Sequence, residues 1–194
     1  MTRTDSLLSP CVVVVKTPVA VRDGMADRLV ESGRPLALEV TGAAHEHERT
    51  LAVLYQTLAE LGVEPFVVSV DALDARARRA IGRARLVITA GGDGTLLSAS
   101  QWVSGAAVLG INSAPSSSVG YLSVARRATI ARTLARIDRG TLVPQAVTRL
   151  EVEIGGKILP PALNDVLIAH DRPAATSRYR LFFGRKSERH RSSG

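Results

Sequence analysis

The sequence is poor in the residues that several common kinds of protein need. It holds one cysteine, Cys11, among 194 residues. No internal disulfide can form, and the composition suits a reducing, cytoplasmic setting. Aromatic residues make up only 4%. That is too few for the stacking platform of a single-strand binder, so nucleic acid is not an expected partner. No apolar run approaches membrane-spanning length, and Met1 to Pro10 does not read as a signal peptide, so no membrane partner is expected. There is no internal repeat and no low-complexity segment.

The sequence does have enough apolar residues, at 45%, for one full core plus a small remainder. It also carries a net charge of +7. The arginines gather in three stretches: Arg76 to Arg85, Arg126 to Arg139, and Arg178 to Arg191. Such a balance suits phosphorylated partners in general. Spread this way, the charges read mainly as solvated faces.

The most informative stretch runs from Leu86 to Trp102. Leu86 to Ala90 is a short apolar run, as a buried parallel strand would be. It stops at Gly91-Gly92-Asp93-Gly94, and Thr95 to Trp102 then reads as a helix. Three residues without a Cβ can bring bare backbone close to a ligand, and the following helix presents its positive end. Both features suit a phosphate. Asp93 would be repelled by phosphates, so it needs a separate task. It could take a proton from a hydroxyl, hold a metal, or receive a ribose hydroxyl bond. The plainer alternative is a tight turn with an aspartate capping the helix.

Strand and helix signals alternate along the rest of the first 145 residues. Cys11 to Val15 reads as a buried strand and Met25 to Glu31 as a short helix. Leu36 to Val40 reads as a strand that Gly42 to Ala44 breaks. Leu51, Leu54, Leu58 and Leu61 form one apolar stripe on a helix over 46–61, which Gly62 ends. Phe66 to Val70 is a strand, Ala72 to Ile81 an arginine-rich helix, Ala106 to Ile111 a strand and Ala128 to Arg139 a helix. This order implies a Rossmann-like α/β domain over 1–145 with a parallel sheet covered on both faces. From 146 to 194 the pattern turns antiparallel and β-rich. Gly155-Gly156 marks a hairpin, and Leu163 to Ala169 and Tyr179 to Phe183 read as further strands.

Lesser candidates carry plain readings. His45 and His47 sit at i and i+2 and so face different sides of a helix, which argues against a shared metal. No metal-ligating set stands out elsewhere. Trp102 is expected to pack behind the glycine loop. Cys11 reads as an inert buried thiol, and His170 as a surface residue.

Two further motifs accompany the loop: Gly110-Ile111-Asn112, closing at Gly120-Tyr121-Leu122, and Asn164-Asp165-Val166. With Arg178-Tyr179-Arg180-Leu181, the ordered set resembles the NAD kinase family over most of the chain. Gly-Gly-Asp-Gly-Thr alone is shared with lipid kinases. The resemblance implies a nucleotide-binding α/β domain and a β-rich NAD-binding domain with the site between them. It implies ATP or polyphosphate as donor, NAD as acceptor, and a divalent cation such as magnesium. The reaction would place a phosphate on the adenosine-ribose 2′-hydroxyl of NAD. Asp93 matches the residue that orients or deprotonates that hydroxyl. Gly91, Gly92, Gly94 and Thr95 match the phosphate-binding loop, Asn112 the turn beside it, and Asn164 with Asp165 the pair that holds the NAD ribose. A dimer or tetramer is implied as well.

The chain departs from the family pattern in three places. The turn after Asn112 is longer, with Ala114-Pro115 where the family has its first glycine. Asp165 stands where glutamate is commoner. The sequence also stops at Ser192-Ser193-Gly194, before a Gly-Ser-Thr-bearing loop, which predicts a partial β-rich domain with weak or absent turnover. The alternative functions are a lipid kinase of the diacylglycerol or sphingosine type and a non-catalytic nucleotide-binding remnant.

Overall fold

Apolar runs that end in polar turns become the strands of one sheet. These are β1 (Cys11–Val15), β2 (Phe66–Ser69), β3 (Leu86–Gly91) and β4 (Ala107–Asn112), joined at one edge by the two-residue β5 (Ala125–Arg126). The order is β2-β1-β3-β4-β5, and every pairing is parallel. The computed structural model describes residues 7–17, 35–172 and 175–192. The chain divides into two compact units, Met1–Leu163 and Asn164–Gly194. The helix read over Met25 to Glu31 lies outside the described residues.

Among the described residues, four helices cover the sheet: α1 (Pro35–Glu60), α2 (Ala75–Arg83), α3 (Asp93–Ser100) and α4 (Ile130–Asp138). The period of two along each strand sends alternate side chains to opposite faces. Cys11, Val13, Leu86, Ile88 and Ala90 enter one core with Leu54, Leu58, Ile130 and Leu134, from α1 and α4. Val12, Val14 and Val87 enter the other with Ile81 of α2 and Ala99 of α3. The α/β architecture expected of the first unit is therefore present, with a buried sheet at its centre.

α1 corrects one reading. Leu36 to Val40 is helix, continuous with the leucine stripe, and not a separate strand. Leu, Ala and Glu favour helix, and a Cβ added at Gly42 would meet nothing, so no packing demand breaks the helix there. The far end does stop where expected. The Val63 N–H bonds the Leu58 carbonyl at 2.9 Å and the Gly62 N–H bonds the Ala59 carbonyl at 3.0 Å, which is a Schellman motif. Val63 and Leu58 are both buried in the first core.

Antiparallel texture follows α4. Leu150 bridges Ala162, and β6 (Glu153–Ile154) pairs with β7 (Lys157–Ile158) across the Gly155-Gly156 turn. Leu163 to Ala169 is not a strand: it pairs with no other strand among the described residues, and Leu167 and Ile168 stand exposed. In the second unit β8 (Ser177–Phe183) pairs with β9 (Lys186–Ser192). Their register sets Arg178 opposite Arg191 and Arg180 opposite Arg189. Among the described residues, no helix is long and apolar enough to cross a membrane.

Two outcomes are expected. Leu58 is fully buried, so Leu58→Ala should lower the unfolding free energy by about 2–5 kcal/mol, read from urea titration. Burial pushes the Cys11 thiol up to about 12. It therefore stays protonated near neutral pH, and a thiol reagent should label the native chain no faster than it unfolds.

Candidate functional site

In an open parallel sheet, connections leaving neighbouring strands in opposite directions open a crevice at the strands' carboxyl ends. The order β2-β1-β3-β4-β5 places that point between β1 and β3. Gly91 to Gly94 leave β3 there. On one side the Lys16 N–H, after β1, bonds the Ala90 carbonyl at 2.9 Å. On the other, Gly91 pairs with Asn112 of β4, and the Ser113 N–H reaches the Gly91 carbonyl at 3.3 Å.

The glycines of the loop have different tasks. A Cβ on Gly91 would overlap Thr95 and press on the Lys16 side chain, and one on Gly92 would overlap the Ser118 hydroxyl. Those two positions are closed by the protein itself. A Cβ on Gly94 would meet nothing. Packing does not require a glycine at position 94, so its bare side is free for a ligand. Thr95 is buried beneath Gly91, and its N–H bonds the Gly92 carbonyl at 3.1 Å. No side chain caps α3 at Gly92.

Asp93 is not the cap either. Its Oδ2 accepts the Tyr121 N–H at 2.8 Å, and its Oδ1 accepts the Leu122 N–H at 2.7 Å. The carboxylate thus fastens the 120–122 turn to the start of α3. A carboxylate has about four lone-pair sites, so each oxygen keeps capacity for a further hydrogen. Gly120, at φ +64°, completes the turn, and a Cβ on it would strike the Asn112 side chain. Asn112 donates from Nδ2 to the Ser118 carbonyl at 2.8 Å, while its Oδ1 is buried without a partner. An unpaired buried acceptor costs about 1–3 kcal/mol.

Three residues of α1, none of them singled out as site residues from sequence, hold the other limb of the 112–122 connection. Glu46 Oε2 accepts the Ser116 hydroxyl at 2.7 Å and the Ser116 N–H at 3.2 Å. These bonds hold the Glu46 carboxyl below its ordinary value. Thr50 donates to the Ser113 carbonyl at 3.0 Å, and His47 Nδ1 lies 2.7 Å from the Ser113 hydroxyl. The longer turn at Ala114-Pro115 is accommodated here, closed by the Ser117 N–H on the Ala114 carbonyl at 3.0 Å. His47 is buried while His45 is exposed, so the two point to different sides of α1. The available signal was that His47 and Thr50 continue the leucine stripe as polar members.

The far end of α3 is also held. Arg149 Nη1 donates to the carbonyls of Ser100 and Val103 at 3.0 and 2.8 Å. Trp102 packs into the second core, with the Arg78 guanidinium 4.0 Å above its ring. Asn164 and Asp165 belong to the second unit. Both are exposed, and the Asn164 amide donates to Asp165 Oδ1 at 3.3 Å. His170 pairs with the exposed Asp171 at 2.8 Å. Among the described residues, no three His, Cys, Asp or Glu side chains are grouped to hold a metal ion unaided.

Known proteins resemble this chain over the part that carries the loop. Residues 11–142 match the family described as ATP-NAD kinase N-terminal domain. A protein of Oryza sativa subsp. japonica named probable NADH kinase is 38% identical over 111 residues, 48% of this chain and 34% of that protein. The NAD kinase of Methanopyrus kandleri is 34% identical over 98 residues, 50% of this chain and 34% of that protein. The chain therefore matches about a third of the length of these curated relatives.

The contrast between the glycines is testable. Gly120→Ala should destabilise the chain, because it meets both a positive φ and the Asn112 side chain. Gly94→Ala should leave thermal stability unchanged or raised by up to about 1 kcal/mol, as alanine replaces glycine in a helix.

Proposed function

The chain belongs to the ATP-NAD kinase family, and we propose from this that it is a kinase acting on NAD. A phosphate would pass from ATP to the 2′-hydroxyl of the adenosine ribose of NAD, giving NADP. One observation carries the reading. At the sheet's switch point, a carboxylate fixed by two N–H groups stands beside a glycine whose outer side is open. The matched span takes in the Gly110 to Leu122 turn as well. The reading therefore does not rest on the Gly-Gly-Asp-Gly-Thr string that lipid kinases share.

Each residue has a role in this proposal. The N–H groups of Gly92 and Gly94 and the positive end of α3 would receive donor phosphates. Gly91 and Thr95 would keep the loop's shape from inside, and Asn112 would hold the turn that Asp93 fastens. Asp93 would orient the ribose hydroxyl and take its proton. The ribose oxygen then bonds to the γ-phosphorus as the bond from that phosphorus to the bridging oxygen breaks, and ADP leaves. A divalent cation of the magnesium type would be held largely by the donor's own phosphate oxygens, whose charge it would neutralise. Asn164 and Asp165 are proposed to hold the NAD ribose, exchanging their long mutual hydrogen bond for bonds to its hydroxyls. The lone buried cysteine supports placing this chemistry in the cytoplasm.

The test is NADP formation by the 194-residue chain from NAD, ATP and magnesium, followed with an NADP-specific dehydrogenase. Slow product formation above the enzyme-free rate is expected. Asp93→Asn should lower it by about 10²–10⁴-fold, the usual worth of a general base. Gly94→Val should weaken ATP binding by calorimetry while the chain stays folded. Failure to bind either nucleotide would sink the proposal.

A further inference from the structure

β3 delivers the glycine loop, and β1 and β4 are its two neighbours in the sheet. One buried imidazole from α1 touches the chain just beyond β4 and feels the charge of Lys16, just beyond β1. His47 Nδ1 lies 2.7 Å from the hydroxyl of Ser113, the residue after β4. The backbone of Lys16, the residue after β1, lies near enough to the ring to favour its protonation. Burial and the Lys16 charge push the imidazole below its ordinary value, so it is neutral near neutral pH. A neutral ring has one donor and one acceptor nitrogen. Which of Nδ1 and the Ser113 hydroxyl donates follows the tautomer, and either way the two share one hydrogen bond. Ser113 in turn gives its N–H to the Gly91 carbonyl at 3.3 Å. A side chain serving only the core would have no need of a polar contact to the connection beside the loop-bearing strand.

We propose that His47 is a positioning residue: it holds Ser113 at the end of β4, seats the 112–122 connection against the loop, and thereby holds the Asp93 carboxylate where the acceptor hydroxyl arrives. Glu46 and Thr50 assist from the same helix, through Ser116 and the Ser113 carbonyl. His47 touches no reacting atom. It acts through Ser113 and the turn, and the turn's last two N–H groups close on Asp93. The inference rests on the kinase reading for its meaning, but its structural part can be tested without turnover.

The experiment is native-state hydrogen exchange on the whole chain, comparing the Tyr121 and Leu122 amides with the Ile88 amide inside the sheet. His47→Phe fills the buried site and makes no polar contact with Ser113. It should cut protection at Tyr121 and Leu122 by about tenfold, of the order of one buried hydrogen bond, and leave Ile88 little changed. His47→Asn can still meet the Ser113 hydroxyl and should recover most of the loss. Ser113→Ala, a small change, should reproduce the local effect even if the phenylalanine variant fails to fold. Equal loss at all three amides would make His47 a structural residue only, and unchanged protection at Tyr121 and Leu122 would also overturn the proposal. Where the chain forms NADP, the same variants should lower kcat more than they raise KM. A chain with no turnover but the expected exchange pattern would count against the kinase reading and leave the positioning role standing.

Discussion

The carboxyl edge of the sheet depends on one carboxylate accepting two main-chain N–H groups. Without the bonds from Tyr121 and Leu122 to Asp93, the 120–122 limb of the connection after β4 would lose its tie to the start of α3. It is rich in serine and leaves Val119 and Tyr121 exposed, so apolar burial does not hold it. Hydrogen bonds to an ionised acceptor are roughly twice as strong as neutral ones. They also offset part of the negative charge that would otherwise repel a phosphate nearby. The same residue therefore builds the site and, in the proposed reaction, works in it.

The surroundings of Asp93 follow from topology. At a switch point no helix or loop crosses over the strand ends, so a ligand can approach the backbone directly. Gly91 and Gly92 let the chain turn there against Thr95 and Ser118, and Gly94 leaves the outer side bare. At the opposite end of α3 the Arg149 guanidinium lies on the carbonyls of Ser100 and Val103. A cation at a helix's negative end complements its dipole. The short helix is thus completed where it leaves the site and left without a side-chain cap where it enters.

Much of this was legible in the sequence, and the remainder was not for identifiable reasons. β1, β3 and β4 are apolar runs of strand length ending in polar turns, so pattern alone finds them. Leu36 to Val40 misled because alternation over five residues fits a strand as well as the first turns of a helix. Gly42 reads as a break in the pattern, yet a single glycine costs a helix only about 1 kcal/mol and α1 runs through it. Leu163 to Ala169 has strand composition but no pairing partner among the described residues, and pairing is a tertiary fact. The glycine loop and Asp93 could be singled out from residue type. The destination of the Asp93 oxygens could not, because Tyr121 and Leu122 contribute backbone groups that every residue has. His47 and Thr50 were hidden for a related reason. Each is polar at an apolar stripe position, and only the fold shows that Ser113 is there to receive them.

The β8–β9 ribbon behaves differently from the hydrogen-bonded edge of the sheet. Two arginine pairs face each other directly across it, at the roughly 5 Å spacing where like charges oppose pairing. Dissolved ions shorten the reach of such repulsion, to about 10 Å at 0.1 M and less above that. Brine should therefore tighten this ribbon, while the short hydrogen bonds that Glu46 accepts from neutral donors at the sheet's edge feel little of it.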